Sequence, residues 1–408
     1  MTGTVDGDLT LDVPPLRRDH KVHAWVAARG LSDLGDTVWL IALAWTAVHV
    51  AGPALAGLLV GLGTLPRAAL MLFGGVFADR WDNRRTVLLT NLARVVVQVA
   101  GVVLLSTMAG HTFAVLAGVA LAFGVADALH NPAASTMSRQ MVRPDDLRPL
   151  MAAFQTVSRL ARLAGAPIGG LLVAAFDVRV AMLVDAASFA LIGLVYALWM
   201  HPRFPRALST GTNWRRDLAG GLGYLRRPPP VRSLVVAVSG LNLFVGPALA
   251  VGLALRVTQE HWGAHTLGVL EACVGAGAAA GAIGAARWNT PRPALVGFAI
   301  LVAQGAGIAA LGFGGRVFVG AAAAFVGVTA GAASTYISAL FVLTVDETYL
   351  GRMGSVTSLA DDGLMPVAMA GFGALAGLTS VSTACLVAGA AMSLLCAWTA
   401  RRIGGPGS

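Results

Sequence analysis

Long apolar runs alternate with short polar segments along almost the whole chain. Most runs reach the length of about 20 residues that a helix needs to cross the hydrocarbon core of a bilayer. Backbone N–H and C=O groups find no water in lipid, so helix is the conformation expected of such runs. The pattern predicts twelve membrane helices, over residues 24–49, 53–78, 86–108, 112–138, 150–175, 178–200, 231–255, 265–288, 294–313, 317–340, 353–378 and 380–400.

One polar connection is longer than the others and separates the predicted helices into two groups of six. Within it, Trp214, Leu218, Leu222 and Leu225 recur at helical spacing beside two pairs of arginines. This pattern predicts a short amphipathic helix that lies on the membrane surface and tethers the two groups. The expected segments are a tail over residues 1–23, a first half over 24–200, a linker over 201–230, a second half over 231–400 and a tail over 401–408.

The two groups of six share a short sequence at the same place. Residues 78–83, after the second predicted helix, read ADRWDN, and residues 285–290, after the eighth, read AARWNT. The two stretches lie about half a chain apart, which favours duplication over chance. Two related halves predict a transporter whose substrate site lies between them, near the membrane midplane.

Composition and charge narrow the class of protein. The chain is 56% hydrophobic and only 12% charged, whereas a soluble domain carries about 25% charged residues. The net charge of +9 does not indicate a nucleic-acid partner, because the basic residues lie in short loops between apolar runs. If the amino terminus is cytoplasmic, 21 basic residues lie in cytoplasmic segments and three lie in outer loops. This asymmetry predicts a multi-pass protein of the cell (inner) membrane with both termini in the cytoplasm.

Several other kinds of site are not expected. Cys273, Cys385 and Cys396 fall inside apolar runs, where cysteine packs as a small core residue, so neither a disulfide nor a metal site is predicted. No nucleotide-binding loop or nucleophile elbow occurs in a suitable place, which argues against an enzyme, a cofactor and a primary pump. The polar start of the chain predicts no removable signal peptide.

The connection after the second helix carries a recognisable signature. Gly75, Asp79, Arg80 and Arg84 follow the spacing G-x-x-x-D-R-x-x-x-R-R, which resembles the cytoplasmic loop signature of the major facilitator superfamily. The resemblance implies an all-α membrane protein of twelve helices in two pseudo-symmetric six-helix halves. It also implies a cytoplasmic latch in which Asp79 lies near the amino end of helix 11, where the helix dipole favours negative charge. Gly75 would allow close approach of a neighbouring helix, and for Arg84 the alternative is a role in orientation alone.

A second motif lies in the fifth predicted helix. Gly165, Pro167, Gly169 and Gly170 resemble the Gly-Pro-x-x-Gly-Gly motif of the superfamily's antiporters, with Ala166 where glycine is usual. With both motifs, the chain is most similar to the third drug:proton antiporter group, which includes macrolide and siderophore exporters. This similarity covers essentially the whole chain, and neither motif specifies a substrate.

Ionisable side chains within membrane spans are costly, so each is a functional candidate. In the first helix, Arg29, Asp33 and Asp36 are spaced i, i+4, i+7 and share one face. Asp36 lies near mid-membrane, where burial favours a neutral carboxyl, and it is predicted to carry protons or substrate. A structural hydrogen bond is the alternative for Asp36, and a simple ion pair with Arg29 is the alternative for Asp33. Glu271 in helix 8 is a further proton-coupling candidate.

A second set of polar residues predicts a substrate cavity. Gln155, Arg159 and Arg162 share one face of helix 5, while Arg67 lies in helix 2 and Asp127 in helix 4. A cavity lined by these side chains would be locally positive and would recognise an acidic or zwitterionic group on the substrate. Ion pairs between helices are the alternative explanation for the same residues.

These features predict a secondary active transporter that exports amphipathic small molecules (a drug, an antibiotic or a secondary metabolite) by proton antiport. The alternative is a facilitator or flippase for an endogenous acidic or zwitterionic amphiphile, such as a siderophore or a lysophospholipid. The arginines of the interior favour that alternative, as does the fourth helix, which has Asp127 and His130 rather than the buried arginine of many proton antiporters. The expected partners are a small-molecule substrate, protons and the lipid bilayer, and the expected state is a monomer.

Overall fold

The computed structural model describes residues 13–70, 82–108, 110–204, 223, 240–288, 290–344 and 350–403. Within these ranges the protein is all-α, with twelve long helices and no strand. The helices are α1 (His20–Val50), α2 (Pro53–Gly61, continued by Thr64–Leu70), α3 (Asn83–Thr107), α4 (Thr112–Met141), α5 (Leu147–Ala175), α6 (Val178–Leu198), α7 (Gly240–Gln259), α8 (Ala264–Arg287), α9 (Pro293–Ala310), α10 (Arg316–Thr344), α11 (Leu350–Leu378) and α12 (Val381–Ile403). Each predicted span corresponds to one of these helices.

Most of the described helices have the length and composition of membrane spans. Ten are long and apolar enough to cross a membrane, and the two pieces of α2 together add an eleventh. The pieces of α2 meet at a bend of 42°. Pro66 has no N–H to donate to the carbonyl of Leu62, which explains an interruption at this point. The remaining helix, α11, has 29 residues but contains Asp361 and Asp362 in its interior.

Polar residues in the connections set where several helices begin. The carboxylates of Asp19, Asp82 and Asp177 each accept a hydrogen bond from a first-turn backbone N–H of α1, α3 and α6, at 3.1, 2.9 and 2.7 Å. Pro53 and Pro293 occupy the first positions of α2 and α9, where no N–H is required. These five helices thus begin at residues suited to a helix start.

The seventh helix ends later than its apolar run predicts, at Gln259 rather than at residue 255. Arg256, assigned to the outer loop from the sequence, lies in the last helical turn. One of its guanidinium nitrogens pairs with Glu260 at 2.9 Å, and the group lies 5.9 Å from the ring centroid of Trp262. These partners stabilise the charge, so the helix continues past it.

The packing of the helices repeats between the two halves. In the first half α3 packs on α4 and α6, and in the second half α9 packs on α10 and α12. Between the halves, α2 packs on α11 and α5 packs on α8. Each helix of the first half thus corresponds to the helix six numbers later in the second half. Under this correspondence the α2–α11 contact is equivalent to the α8–α5 contact. The architecture is therefore pseudo-two-fold.

Glycines bring the halves into close contact on one side of the molecule. A Cβ atom on Gly57 of α2 would lie 2.1 Å from the carbonyl oxygen of Met369, and one on Gly373 of α11 would lie 2.1 Å from that of Pro53. Such distances leave no room for any side chain. These contacts lie at the start of α2 and the end of α11. We call this side distal, and the side where α1 begins and α12 ends terminal.

On the terminal side, polar contacts join α1, α4 and the segment after α6. Arg203 pairs with the Asp19 carboxylate, and its backbone N–H donates to the carbonyl of Gln140 at 2.9 Å. Burial raises the pKa of Asp19, but hydrogen bonds from Arg203, Val22 and Lys21 and the charge of Arg203 outweigh burial and lower that pKa from 3.8. The Asp19 carboxylate therefore caps the start of α1 and also binds Arg203 of the segment after α6.

Several predicted features lie outside the described residues. Among them are Gly75, Asp79 and Arg80 of the loop signature and the amphipathic helix of the linker. Arg84, the fourth residue of the loop signature, is described at the start of α3. Its guanidinium donates to the backbone carbonyl oxygens of Met200 at 2.9 Å and Ala197 at 2.7 Å, at the end of α6.

Candidate functional site

A cavity of about 770 Å³ lies between the two halves. Its wall is formed by α1 and α5 of the first half and by α7, α8, α10 and α11 of the second. We call it the central cavity. It reaches Ala282 and Ser338, which lie within two turns of the terminal-side ends of α8 and α10. Toward the distal side, the close contacts between α2 and α11 and between α5 and α8 hold the halves together.

Glycines of the fifth helix bring α5 against both neighbours. A Cβ on Gly165 would lie 2.9 Å from the Leu34 carbonyl oxygen of α1, and one on Gly169 would lie 3.0 Å from the Cα of Val38. Gly170 faces α8 instead, where its Cβ would lie 2.8 Å from the Ala264 carbonyl oxygen. Pro167 joins this contact, because a Cβ on Gly268 of α8 would lie 2.9 Å from its Cα. The motif residues therefore fix the position of α5 between the halves.

The wall of the central cavity is mainly apolar and carries three ionisable side chains. Arg159 and Arg162 come from α5, and Glu271 comes from α8. None of the three makes a hydrogen bond or an ion pair with any residue that the structure describes. Ser334 and Ser338 on α10 add hydroxyl groups one turn apart. The cavity thus combines a large apolar surface with a few polar groups from both halves.

A second group of charges lies beside the cavity, between α2, α3, α4 and α11. Asp127 accepts from Arg67 at 2.8 Å and from Arg94, and Arg67 also faces Asp362 at 3.5 Å. We call these four residues the charge quartet. Its two arginines and two carboxylates balance, and the Arg67–Asp362 pair joins the first half to the second. Neither Arg67 nor Asp127 is among the described lining of the central cavity, and Gln155 is not among it either.

The two acidic candidates of α1 have different surroundings. Asp33 is occupied, because it accepts from Arg29 at 3.0 Å and from the Ser158 hydroxyl of α5. Asp36 is half-buried and makes no hydrogen bond to a described residue. Arg94 and Asp127 of the charge quartet are among the charged groups close enough to act on Asp36, together with Asp33 and Arg29 of its own helix.

The sequence analysis did not assign Arg94 to the site, and it did not predict that Asp362 pairs with Arg67. The Arg94 side chain is only 7% exposed, and its guanidinium lies 4.9 Å from the ring centroid of Phe189. One turn away on α3, Gln98 donates to the fully buried Asp185 carboxylate of α6. The signal in the sequence was a polar face of the third helix, where Asn91, Arg94 and Gln98 recur every three to four residues.

The described residues contain no group of three or more histidine, cysteine or acidic side chains that could hold a metal ion. The three cysteines are free, with Cys385 and Cys396 buried and Cys273 partly buried.

The sequence profile of the Major Facilitator Superfamily matches residues 26–368. The chain therefore belongs to the major facilitator superfamily, a family of membrane transporters with this alternating-access fold. No curated protein sequence matches it.

Solved structures share the fold at low sequence identity. A bacterial homologue of the iron transporter ferroportin, in an inward-facing state, is 13% identical with a TM-score of 0.74 over 95% of this chain and 100% of its own. The nucleoside transporter NupG is 13% identical with a TM-score of 0.68 over 95% and 100%. The human organic anion transporter MFSD10 (TETRAN) is 17% identical with a TM-score of 0.63 over 95% and 100%. The fold is shared by transporters with quite different cargo.

Proposed function

We propose that this member of the superfamily exports amphipathic small molecules and is driven by proton antiport. One observation carries the proposal: the central cavity of about 770 Å³ between the halves, with its mainly apolar wall and three ionisable side chains. Typical small-molecule sites have volumes of about 300–1,000 Å³ and mostly apolar walls with a few polar groups. A ligand with an apolar body and a polar group suits this wall.

Asp36 is the proposed proton-coupling residue, with Asp33 and Glu271 as further candidates. No described residue makes a hydrogen bond to the Asp36 carboxylate, and the charge of Arg94 is close enough to act on it. Gain of a proton by Asp36 removes that attraction and changes the balance around the charge quartet. Arg67 transmits the change to the second half through Asp362.

In the proposed cycle the two halves rock around the central cavity. The glycine contacts on the distal side separate while the terminal side closes, and the reverse movement returns the empty carrier. Arg159 and Arg162 are the proposed substrate residues of the cavity wall, whereas Gln155, Arg67 and Asp127, expected there from the sequence, are not among its described lining. The proposed gating residues are Gly75, Asp79, Arg80 and Arg84, and the proposed antiporter motif is Gly165, Pro167, Gly169 and Gly170.

The remaining expectations belong to this proposal. The terminal side is assigned to the cytoplasm, with both termini inside, because basic residues predominate in the segments on that side. The protein is placed in the cell (inner) membrane as a monomer. The halves are assigned to residues 24–200 and 231–400, with the linker over 201–230 and tails over 1–23 and 401–408.

A facilitator or flippase for an endogenous acidic or zwitterionic amphiphile is the second candidate function. The observation that favours it is the pair of cavity arginines, Arg159 and Arg162, which have no anionic partner among the described residues. A facilitator needs no coupling proton, so the two functions differ in their response to a proton gradient.

The test is transport by purified protein in proteoliposomes, with and without an imposed pH gradient. Cationic, neutral and anionic amphiphiles are compared in wild type and in Asp36→Asn, and Asp177→Asn, in a surface pair on the distal side, is the control. Antiport predicts that the gradient drives uphill movement and that Asp36→Asn abolishes this drive while downhill exchange continues. Transport that ignores the gradient in wild type contradicts antiport and leaves the facilitator.

A further inference from the structure

We propose that the substrate of the central cavity is an amphiphilic zwitterion, whose acidic group binds Arg159 and Arg162 and whose cationic group binds Glu271. This inference rests on the proposed function only in taking the central cavity as the substrate site. It holds for either an exporter or a facilitator, because it concerns what the cavity binds and not what drives the movement.

The two arginines define the acidic end of the ligand. Arg159 and Arg162 lie three residues apart on α5 and therefore project from one face of the helix. Neither guanidinium has a hydrogen-bond or ion-pair partner among the described residues. A guanidinium carries five donors in a planar fork that matches a carboxylate or a phosphate. An acidic group between the two side chains would satisfy both.

Glu271 defines the cationic end. It lies on α8 in the opposite half, and the turns on either side of it contact α5. A Cβ on Gly268 would lie 2.5 Å from the Ala166 carbonyl oxygen, and one on Gly275 would lie 3.4 Å from Leu163. The Glu271 carboxylate is thus held next to the arginine face, yet it pairs with neither arginine within 4.0 Å.

The charges on the wall discriminate between ligand classes. A neutral ligand leaves all three ionisable groups without a partner. A cation pairs with Glu271 but leaves both arginines without one. An anion compensates the arginines but places a second negative charge close to Glu271. A ligand with both charges gives each side of the wall an opposite partner, which is the arrangement that offsets desolvation of charged groups. The apolar wall of α8 and α10, with Val274, Ala278 and Ala330, receives the rest of the ligand.

Four probes with one common body test the inference. Dansyl-lysine is the zwitterion, dansyl-aminohexanoic acid the anion, dansylcadaverine the cation and pentyl dansylamide the neutral compound. Dansyl fluorescence rises on entry to an apolar site, so it reports binding to the purified protein in nanodiscs. The variants are Arg159→Gln, Arg162→Gln and Glu271→Gln. The control is Arg148→Gln, since Arg148 is exposed on the same helix and does not line the cavity.

We expect wild type to bind the zwitterion most tightly. Each arginine variant should lower the affinity for the zwitterion and for the anion by about tenfold, because a charge-assisted hydrogen bond is lost. Glu271→Gln should weaken binding of the zwitterion alone and should leave binding of the anion unchanged or tighter. Retained binding of the anion also shows that the variant is folded. Preferred binding of the cation or the neutral probe, or an equal effect of Glu271→Gln on zwitterion and anion, overturns the inference.

The source of the ligand is tested by competition. Free phosphoethanolamine and a single-chain phosphoethanolamine lipid are each added to the bound dansyl-lysine. Displacement by the lipid alone assigns the ligand to the bilayer, and displacement by both assigns it to the aqueous phase, while displacement by neither contradicts the proposal. Proton-driven transport of cations without a zwitterion preference would defeat this inference and leave the proposed function intact. A zwitterion preference without proton drive would support this inference and contradict proton antiport.

Discussion

At the scale of single residues, Arg94 and Asp127 show how the protein accommodates a buried charge. The Arg94 side chain is 7% exposed and the Asp127 side chain 24%. A buried cation is tolerated only when a counter-charge and hydrogen bonds replace water. Asp127 supplies that charge to Arg94 and also pairs with Arg67, for which Asp362 of the second half provides the second negative charge.

Asp127→Asn is therefore expected to be strongly destabilising. It leaves Arg94 buried without its counter-ion, a change that costs about 3–5 kcal/mol in comparable sites. The control is Asp177→Asn, which breaks a pair with Arg179 whose side chains are 40% and 44% exposed. That pair should contribute less than about 1 kcal/mol. Equilibrium unfolding in mixed micelles measures both, and equal losses of unfolding free energy would contradict the quartet's role.

Asp19 predicts a pH dependence of stability at the terminal side. Its pKa in the folded protein is lowered from 3.8, so the unfolded chain binds its proton more tightly. The carboxylate's contribution is complete at pH values well above 3.8 and is lost as the pH falls through the lower, folded value. The stability difference between wild type and Asp19→Asn should be constant near neutral pH and shrink in acid. A stability difference that grows in acid would contradict this prediction.

The charge quartet shows where sequence reasoning stops. Arg67 and Asp362 stand almost 300 positions apart, and only the packing of α2 on α11 brings them to 3.5 Å. Periodicity shows which residues share a face of one helix, but it does not show which neighbour that face meets. For the same reason Arg67 and Asp127 were expected on the cavity wall with Arg159 and Arg162, although they lie in the quartet beside it.

At the scale of helices, glycine determines how closely the halves approach. The distal contact of α2 with α11 uses Gly57 and Gly373, each with a backbone carbonyl oxygen where its Cβ would be. Without a hydrophobic effect between helices in lipid, close packing of this kind supplies much of the association. These contacts must separate in the proposed cycle, so they set the relative stability of the two facings.

Two glycines of α11 provide a matched test. A Cβ on Gly373 would lie 2.1 Å from the Pro53 carbonyl oxygen, whereas one on Gly371 would have no neighbour within 4 Å. Gly373→Ala should lower the free energy of unfolding by about 1–3 kcal/mol through overpacking. Gly371→Ala should be neutral or stabilising by up to about 1 kcal/mol, because alanine favours helix. Thermal unfolding compares the two, and equal effects would rule out a tight α2–α11 contact.

The helices themselves could be predicted well, because an apolar run in a membrane has few alternatives to helix. Their ends were less predictable where a charge has local partners, as at Arg256, which stays helical through Glu260 and Trp262. The bend of α2 follows from Pro66, although its angle of 42° depends on packing. The loop signature predicted the superfamily, which the family match confirms.

At the scale of the whole molecule, the two halves are in close contact on the distal side and enclose the central cavity between them. The distal side is held by glycine contacts between α2 and α11 and between α5 and α8. The described lining of the central cavity runs from Leu267 and Met369 to Ala282 and Ser338. In the proposed cycle, these distal contacts separate when the carrier opens toward the distal side.

The most direct test of the account follows the access of a cavity residue from the terminal side. Ser338→Cys is made in a chain whose native cysteines are replaced by alanine, and its reaction with a membrane-impermeant maleimide is timed in vesicles of known orientation. The account predicts labelling from the terminal side. Relative to an exposed control cysteine, which corrects for the pH dependence of the thiolate, the rate should change with pH in the otherwise wild-type chain and should not change in Asp36→Asn. Absence of labelling from that side, or the same pH response with Asp36→Asn, would contradict proton-controlled alternating access at this cavity.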